Sequence, residues 1–398
     1  MSLHKKYSHP RSAASNGTKL PSLENAKNLK GRRVLLRLDL NVPFKGGRVL
    51  DGYRIKRVFP TIKFLKSQGA KTIIISHIES NEGKSLSLRP VARYLNKKMN
   101  IGFYPKPLDN DLPDVISAMK HGGVMILENL RKDPGETGND INFAKRLAKL
   151  GDIYVNDAFS VSHRNHASVV QLPKLLPSYA GFLFEDEVSH LSRALRPSHP
   201  FLFILGGAKF GTKIPLIKKF LRIADRVFVG GALANNFFKE AGYEIGESLS
   251  DSGNFKLKPL FKNKKLIVPS DVVVKTRTGT LVKNIGSIRE RDSIKDAGPK
   301  TLREIGNVAS RAKFILWNGP LGNYEEGFDK GTIDLLKIIA KSKAESVVGG
   351  GDSLALISKL GFEKKFTFVS TGGGAMLDFL ANGTLPGIKA LLHSKKKE

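Results

Sequence analysis

Ten short aliphatic runs, most rich in β-branched residues, constrain this chain more than any other feature. They fall at residues 34–38, 72–75, 124–127, 153–155, 201–205, 226–229, 266–268, 314–317, 346–348 and 367–369. Each is apolar along its length instead of alternating, the pattern of parallel strands covered by helices on both faces. Between them, residues 61–68, 143–150 and 332–341 carry apolar side chains at helical spacing. Strand and helix therefore alternate, which predicts α/β architecture, and 398 residues are enough for two domains of comparable size.

The residues that follow each run divide the chain in two. In the first half they are charged or polar: Arg37, Asp39 and Asn41, then His77, then Glu128 to Arg131, then Asn156-Asp157 with His163-Arg164. In the second half they are glycines: Gly206-Gly207, Gly230-Gly231, Gly319, Gly349-Gly350-Gly351 and Gly372-Gly373-Gly374. Ligands of open parallel sheets gather at the carboxyl ends of the strands. One half is thus suited to gripping a small anion with side chains, and the other to letting backbone N–H groups approach phosphates closely.

Composition removes several other chemistries. The chain has no cysteine, which excludes disulfides, thiolate metal sites and thiol nucleophiles. No apolar run reaches the length of a membrane span, and a cytoplasmic location is expected. The formal net charge is +30, from 66 Lys and Arg against 36 acids. Such a charge favours anionic partners and raises non-specific affinity for polyanions without dictating fold. Residues 1–20 are basic and acid-free and are expected to form a flexible tail, and Lys395-Lys396-Lys397 to fray.

Gly206-Gly207-Ala208-Lys209-Phe210-Gly211-Thr212-Lys213 looks like a phosphate loop, although Thr-Lys follows Gly211 where a Walker A loop has Lys-Thr or Lys-Ser. An ordinary glycine turn with exposed lysines is the plainer reading. Two lysines four apart at a helix start nevertheless share a face, and positioned cations are most of what phosphoryl transfer requires. Asp352, after three glycines, suits either a magnesium ligand or a helix N-cap. Arg37, Arg54, Arg131 and Arg164 recur among Asp39, Asn41, His77, His163 and His166. Each arginine alone is more often a solvated group, but its planar fork is the best binder of carboxylate and phosphate. No zinc-ligand spacing and no Gly-x-Ser-x-Gly elbow accompanies them.

Arg37-Leu38-Asp39-Leu40-Asn41-Val42-Pro43, Leu127-Glu128-Asn129-Leu130-Arg131, Asn156-Asp157-Ala158-Phe159 with His163-Arg164, Leu205-Gly206-Gly207-Ala208-Lys209 and Trp317-Asn318-Gly319-Pro320 occur in this order. Together with the two later glycine loops, this set resembles the phosphoglycerate kinase family over nearly everything but the tails. The resemblance implies two Rossmann-like domains with parallel sheets joined by a helical hinge. Their expected bounds are 21–180 for the N-terminal domain, 181–197 for the hinge helix and 198–385 for the C-terminal domain, with 386–398 packing back on the first. It further implies a monomer that transfers phosphate between 1,3-bisphosphoglycerate and MgADP, giving 3-phosphoglycerate and MgATP. Arg37, Asp39, Asn41, His77, Arg131, His163 and Arg164 would bind the acid substrate. Arg54, Lys209 and Lys213 would act on the transferring group. Gly207, Ala208, Lys213, Gly231, Asn318, Glu325, Gly350, Gly351, Asp352, Ser353, Gly373 and Gly374 would meet the nucleotide, with Asp352 near Mg²⁺.

The chain departs from the family where His77 is followed by Ile78-Glu79-Ser80-Asn81 in place of Leu-Gly-Arg-Pro. The arginine expected at Ser80 is missing and an acid stands beside it. A charge-assisted contact contributes about 1.5–3 kcal/mol, so weaker substrate binding is expected from an enzyme that remains active. Two other readings compete. A degenerate family member retained as a binding protein would bind with steep salt dependence and no turnover. A dinucleotide oxidoreductase lacks its Gly-x-Gly-x-x-Gly fingerprint here.

Overall fold

The structure, a computed structural model, describes residues 19–45, 48–49, 52–80, 82–106, 108–253 and 255–394. The basic tail expected over residues 1–20, except its last two, and Lys395-Lys396-Lys397 lie outside the described residues. The chain forms two compact units, one running to Ser192 and resuming at Asn382, the other Arg193–Ala381.

The first unit is built on β1 (Arg33–Arg37), β2 (Lys71–Ile75), β3 (Gly102–Tyr104), β4 (Val124–Leu127), β5 (Ile153–Asn156) and β6 (Ser178–Ala180). They form one sheet in the order β3-β4-β2-β1-β5-β6, every pair parallel. Val34, Leu35 and Leu36 have no exposed surface, as a central strand with covered faces requires. The chain leaves β1 toward β2 on one side and β5 toward β6 on the other. The carboxyl ends of these two neighbours therefore open a crevice, the usual place for a ligand. The strands β3 and β6, each three residues long, escape the aliphatic-run criterion because Gly102, Ser178 and Tyr179 break it.

The second unit repeats the plan with β7 (Phe201–Leu205), β8 (Arg226–Val229), β9 (Leu266–Ile267), β13 (Phe314–Asn318), β14 (Glu345–Gly349) and β15 (Phe368–Val369). Their order is β9-β8-β7-β13-β14-β15, again parallel. The point of divergence lies between β7 and β13, so Gly206-Gly207 and Gly319-Pro320 face each other there. Phe203 stacks on Phe220 of the helix Phe210–Ile223 with ring centroids 4.2 Å apart, fixing that helix on the sheet. A second sheet of β10 (Asp271–Thr276), β11 (Gly279–Asn284) and β12 (Ser293–Ala297) is antiparallel, with β10 central. It has no counterpart in the sequence expectation.

After β6, the helix Phe182–Arg193 carries the chain toward the second unit. It is shorter than the helix expected over 181–197, and Pro197 and Pro200, each lacking an amide proton, follow it. The short helix Pro386–Leu392 returns to the first unit, where Gly387 N donates to Ser162 O at 2.9 Å.

Asp271, at the start of β10, ties this strand to the helix Pro299–Ala309. Its Oδ1 accepts from Thr301 N and Thr301 Oγ1, both at 2.7 Å, and its Oδ2 from Lys300 N at 3.0 Å. A strand carboxylate thereby satisfies helix amides that have no partner within the helix. Asp271→Ala is expected to destabilise the second unit by about 2 kcal/mol, read as a lower urea midpoint, with Asp271→Asn losing less.

Candidate active site

The crevice of the first unit is organised by Arg37, the last residue of β1. Its guanidinium is wholly buried. Nε donates to Ser168 Oγ at 3.0 Å, one terminal nitrogen donates to Leu38 O at 2.6 Å, and the other lies 3.3 Å from His77 Nδ1. Glu136, also fully buried, stands 3.9 Å away and accepts from Ser168 N at 2.9 Å and Ser168 Oγ at 2.6 Å. Burial pulls the Arg37 pKa down, and Glu136 opposes it most among the charges.

His77 follows β2 and is held well below its ordinary pKa, first by burial and then by the charge of Arg37. It is neutral at neutral pH. With Nδ1 accepting from Arg37, its proton sits on Nε2, ready to donate to an anion. Asp39 accepts from Arg54 at 2.7 Å, from Asn41 N at 2.9 Å and from the Ser160 hydroxyl. Burial would raise its carboxyl, but Arg54, His77 and these hydrogen bonds outweigh that and hold it low. The contact from Ser160 to Asp39 spans the crevice between β5 and β1. Arg54 sits in the first turn of the 15-residue helix Tyr53–Ser67, so its charge adds to the positive end of the helix.

His166 reports the resulting field. Burial and then Arg131, Arg37, Arg164 and His163 push it down to about 4. These cations add to burial in disfavouring a proton on the ring, and a site with such a field favours an anion. Of the residues expected here, Arg37, Asp39, Asn41, Arg54, His77 and Arg131 come together at the carboxyl edge of the sheet. His163 is half-buried and Arg164 exposed in the loop after β5. Asp157 is committed elsewhere: its Oδ1 accepts from Phe184 N at 3.0 Å, and burial raises its carboxyl to about 7. Glu136, Ser160 and Ser168 were not anticipated, because a single acid or serine in a polar loop carries no spacing signal.

The second unit presents a cavity of about 540 Å³ at its own switch point. Gly207, Ala208, Gly231, Glu325 and Asp352, all named above as nucleotide contacts, line it. So do Phe238, Leu249, Val272 and Ile294, an apolar wall suited to a flat base. The Gly206–Gly207 turn packs against Gly319-Pro320, with Gly207 N donating to Pro320 O at 2.9 Å. A Cβ on Gly206 would come within 2.2 Å of Pro320 O, and only glycine permits that approach. Gly350, at φ 107°, meets Gly319 N in the same way. Lys213 is nearly buried in the first turn of Phe210–Ile223 and donates to Gly206 O at 2.6 Å. Lys209 is exposed at the N-cap.

Asn318 is not part of the cavity wall, since its amide donates to Met376 Sδ at 3.4 Å and its carbonyl accepts from Gly206 N at 2.8 Å. Gly350, Gly351, Ser353, Gly373 and Gly374 also lie outside the lining. Gly351 and Gly374 instead open the helices Gly351–Leu360 and Gly374–Asn382. Burial and then the charge of Glu325 raise the Asp352 carboxyl, while Lys213 lowers it. Asp352 and Glu325 both line the cavity and are the carboxylates there that could hold a divalent cation.

An anion site of converging arginines in one unit and a glycine-walled nucleotide-sized cavity in the other are matched by known proteins. The phosphoglycerate kinase family matches residues 23–383. The chain belongs to the phosphoglycerate kinase family. A phosphoglycerate kinase of Wolbachia sp. subsp. Drosophila simulans is 42% identical over 392 residues, covering 94% of this chain and 98% of that one. A phosphoglycerate kinase of Orientia tsutsugamushi is 42% identical over 387 residues, covering 92% and 95%. Among solved structures, phosphoglycerate kinase from Coxiella burnetii aligns with a TM-score of 0.79 at 39% identity, and that from Pyrococcus horikoshii with 0.83 at 33%. Each of these two covers 94% of this chain and 98% of its own.

The buried Lys213 has a pH signature. Burial lowers its pKa to about 8, with Asp352 opposing. The free chain therefore loses this cation as pH rises through about 8, and an anion that it meets would be held less tightly above that pH. The stability contribution runs the other way: between about 8 and the ordinary lysine value the unfolded chain binds more protons, so folding gains with rising pH. Titration of MgADP from pH 7 to 9.5 is expected to show weakening binding above about pH 8, and Lys213→Met to flatten that limb.

Proposed function

We propose that the chain catalyses reversible phosphoryl transfer between 1,3-bisphosphoglycerate and MgADP, yielding 3-phosphoglycerate and MgATP, as a step of glycolysis. The observation that carries this reading is the gathering of Arg37, Arg54, Arg131 and Arg164 around two histidines that burial first, and then these charges, keep neutral. Such a field fits a small substrate with more than one negative group. The reading extends to a cytoplasmic monomer. Among the described residues no helix is long and apolar enough to cross a membrane.

In the ATP-forming direction the nucleophile is a phosphate oxygen of ADP, already ionised, so no general base is required. Asp39 fixes Arg54, and Arg54 with Lys209 and Lys213 neutralises charge on the transferring group. His77 and Arg131 hold the acid substrate, while Arg37 acts behind them by orienting His77. The N-terminus of Phe210–Ile223 offers backbone amides to the nucleotide phosphates, while Gly206 and Gly207, whose own amides bond Asn318 O and Pro320 O, shape the turn before it. Asp352, with Glu325 beside it, would hold magnesium brought in with the nucleotide, and the ion supplies further charge neutralisation there. Direct transfer requires both half-sites to share one phosphoryl group, and Phe182–Arg193 is the segment joining the units, which makes it the hinge in this reading.

Initial rates with MgATP and 3-phosphoglycerate, following ADP release, test the assignment. Saturation in both substrates is expected, and nucleotide binding without turnover would contradict it. Lys213→Ala is expected to lower kcat by at least about a hundredfold, and its Kd for MgADP at pH 7 is expected to match the weaker value that the parent shows above about pH 8.

A further inference from the structure

Arg131, one of the cations that keep His77 and His166 neutral, already has an anion. Its guanidinium forms an ion pair with the Glu79 carboxylate. The two side chains are only 11% and 26% exposed, so solvent screens the pair incompletely. Glu79 stands where the family has glycine, and the neighbouring family arginine is Ser80.

The Glu79 backbone is pinned from both sides. Its N–H donates to Asn41 Oδ1 at 3.2 Å, which ties it to a residue of the anion site. It bridges to Ser85, whose hydroxyl donates to Arg131 O at 3.0 Å. The turn between is closed by Ser80 N to Lys84 O at 2.9 Å and by Lys84 N to Ser80 Oγ at 3.1 Å. The carboxylate is thereby tethered beside Arg131, and a tethered ligand competes at an effective concentration that free anions do not match.

We infer that Glu79 is a built-in competing anion: it occupies Arg131 in the unliganded site, and an anionic group of the acid substrate must displace it to bind. The exchange replaces one ion pair with another and involves no covalent step. Glu79 is thus a positioning residue that sets substrate affinity through Arg131. The inference rests on the proposed function for the identity of the substrate, though not for the anion competition itself.

Calorimetric titration of the full chain and of Glu79→Gln and Glu79→Gly with 3-phosphoglycerate, and separately with inorganic phosphate, tests this. Both variants are expected to bind 3-phosphoglycerate about tenfold more tightly, to bind phosphate more tightly, and to bind MgADP as before. Glu79→Asp keeps the charge on a shorter arm and is expected to fall between them and the parent. Should Glu79→Gln fold poorly, Glu79→Asp and Glu79→Gly still decide the matter. Unchanged or weaker anion binding in variants that fold normally would overturn the inference, because a merely structural Glu79 would alter stability without tightening anions. The two readings fail separately. Tighter phosphate binding without 3-phosphoglycerate turnover would uphold the competition and sink the substrate, whereas turnover with unchanged affinities would do the reverse.

Discussion

The first unit depends on the burial of one guanidinium. Arg37 has no exposed surface, and a charge removed from water is strongly destabilising unless its environment answers it. Here it is answered by Ser168, by the Leu38 carbonyl and by Glu136, itself buried and doubly hydrogen-bonded by Ser168. The remaining nitrogen faces His77, which sets the tautomer of that ring and adds to burial in keeping it neutral. From this arrangement come the orientation of His77, the position of the strand end that carries Asp39, and a positive field that Arg54, Arg131 and Arg164 then enlarge. Removing one partner of such a group leaves the other unanswered, so the unit is built as a network.

The second unit reaches phosphate recognition by the opposite route. Its sheet diverges between β7 and β13, and there backbone meets backbone with no side chain between: Gly206 and Gly207 against Gly319 and Pro320. The close packing is held by Gly206 N on Asn318 O and Gly207 N on Pro320 O, with the buried Lys213 bonded to Gly206 O behind the turn. The charged residues in its wall are mostly acids, Glu247, Asp296, Glu325, Glu326 and Asp352 against Lys295, where the first unit gathers arginines. Side-chain cations in one unit and backbone dipoles in the other match the two ligands of the family, one a compact polyanion and the other a phosphate tail on a flat base.

Much of this arrangement was legible in the sequence because strand and loop signals are local. Aliphatic runs located the longer strands of both parallel sheets, and of the glycines after them Gly207 and Gly231, following β7 and β8, fall in the cavity wall of the second unit. What escaped was set by tertiary contact. β10 carries three valines between Asp271 and Lys275, and its partner β11 exposes Leu281 and Val282, so the hairpin resembles neither a buried parallel strand nor a clean alternation. Consequently the cavity wall at 293–297 was not foreseen. Glu136 lies between Gly135 and Thr137 in a segment that reads as a surface turn, and only the buried Arg37 explains it. The amide of Asn318 bonds Met376, a residue 58 positions away that no local signal pairs with it.

The central claim is that each unit holds its own ligand by its own chemistry. Hydrogen exchange of the full chain, followed peptide by peptide with each ligand alone, tests this directly. The account predicts that 3-phosphoglycerate slows exchange around residues 37–41, 77–80, 129–131 and 158–166. MgADP should instead slow it around 206–213, 230–235 and 319–326. Protection of the second set by 3-phosphoglycerate alone, with the first set unaffected, would contradict the account.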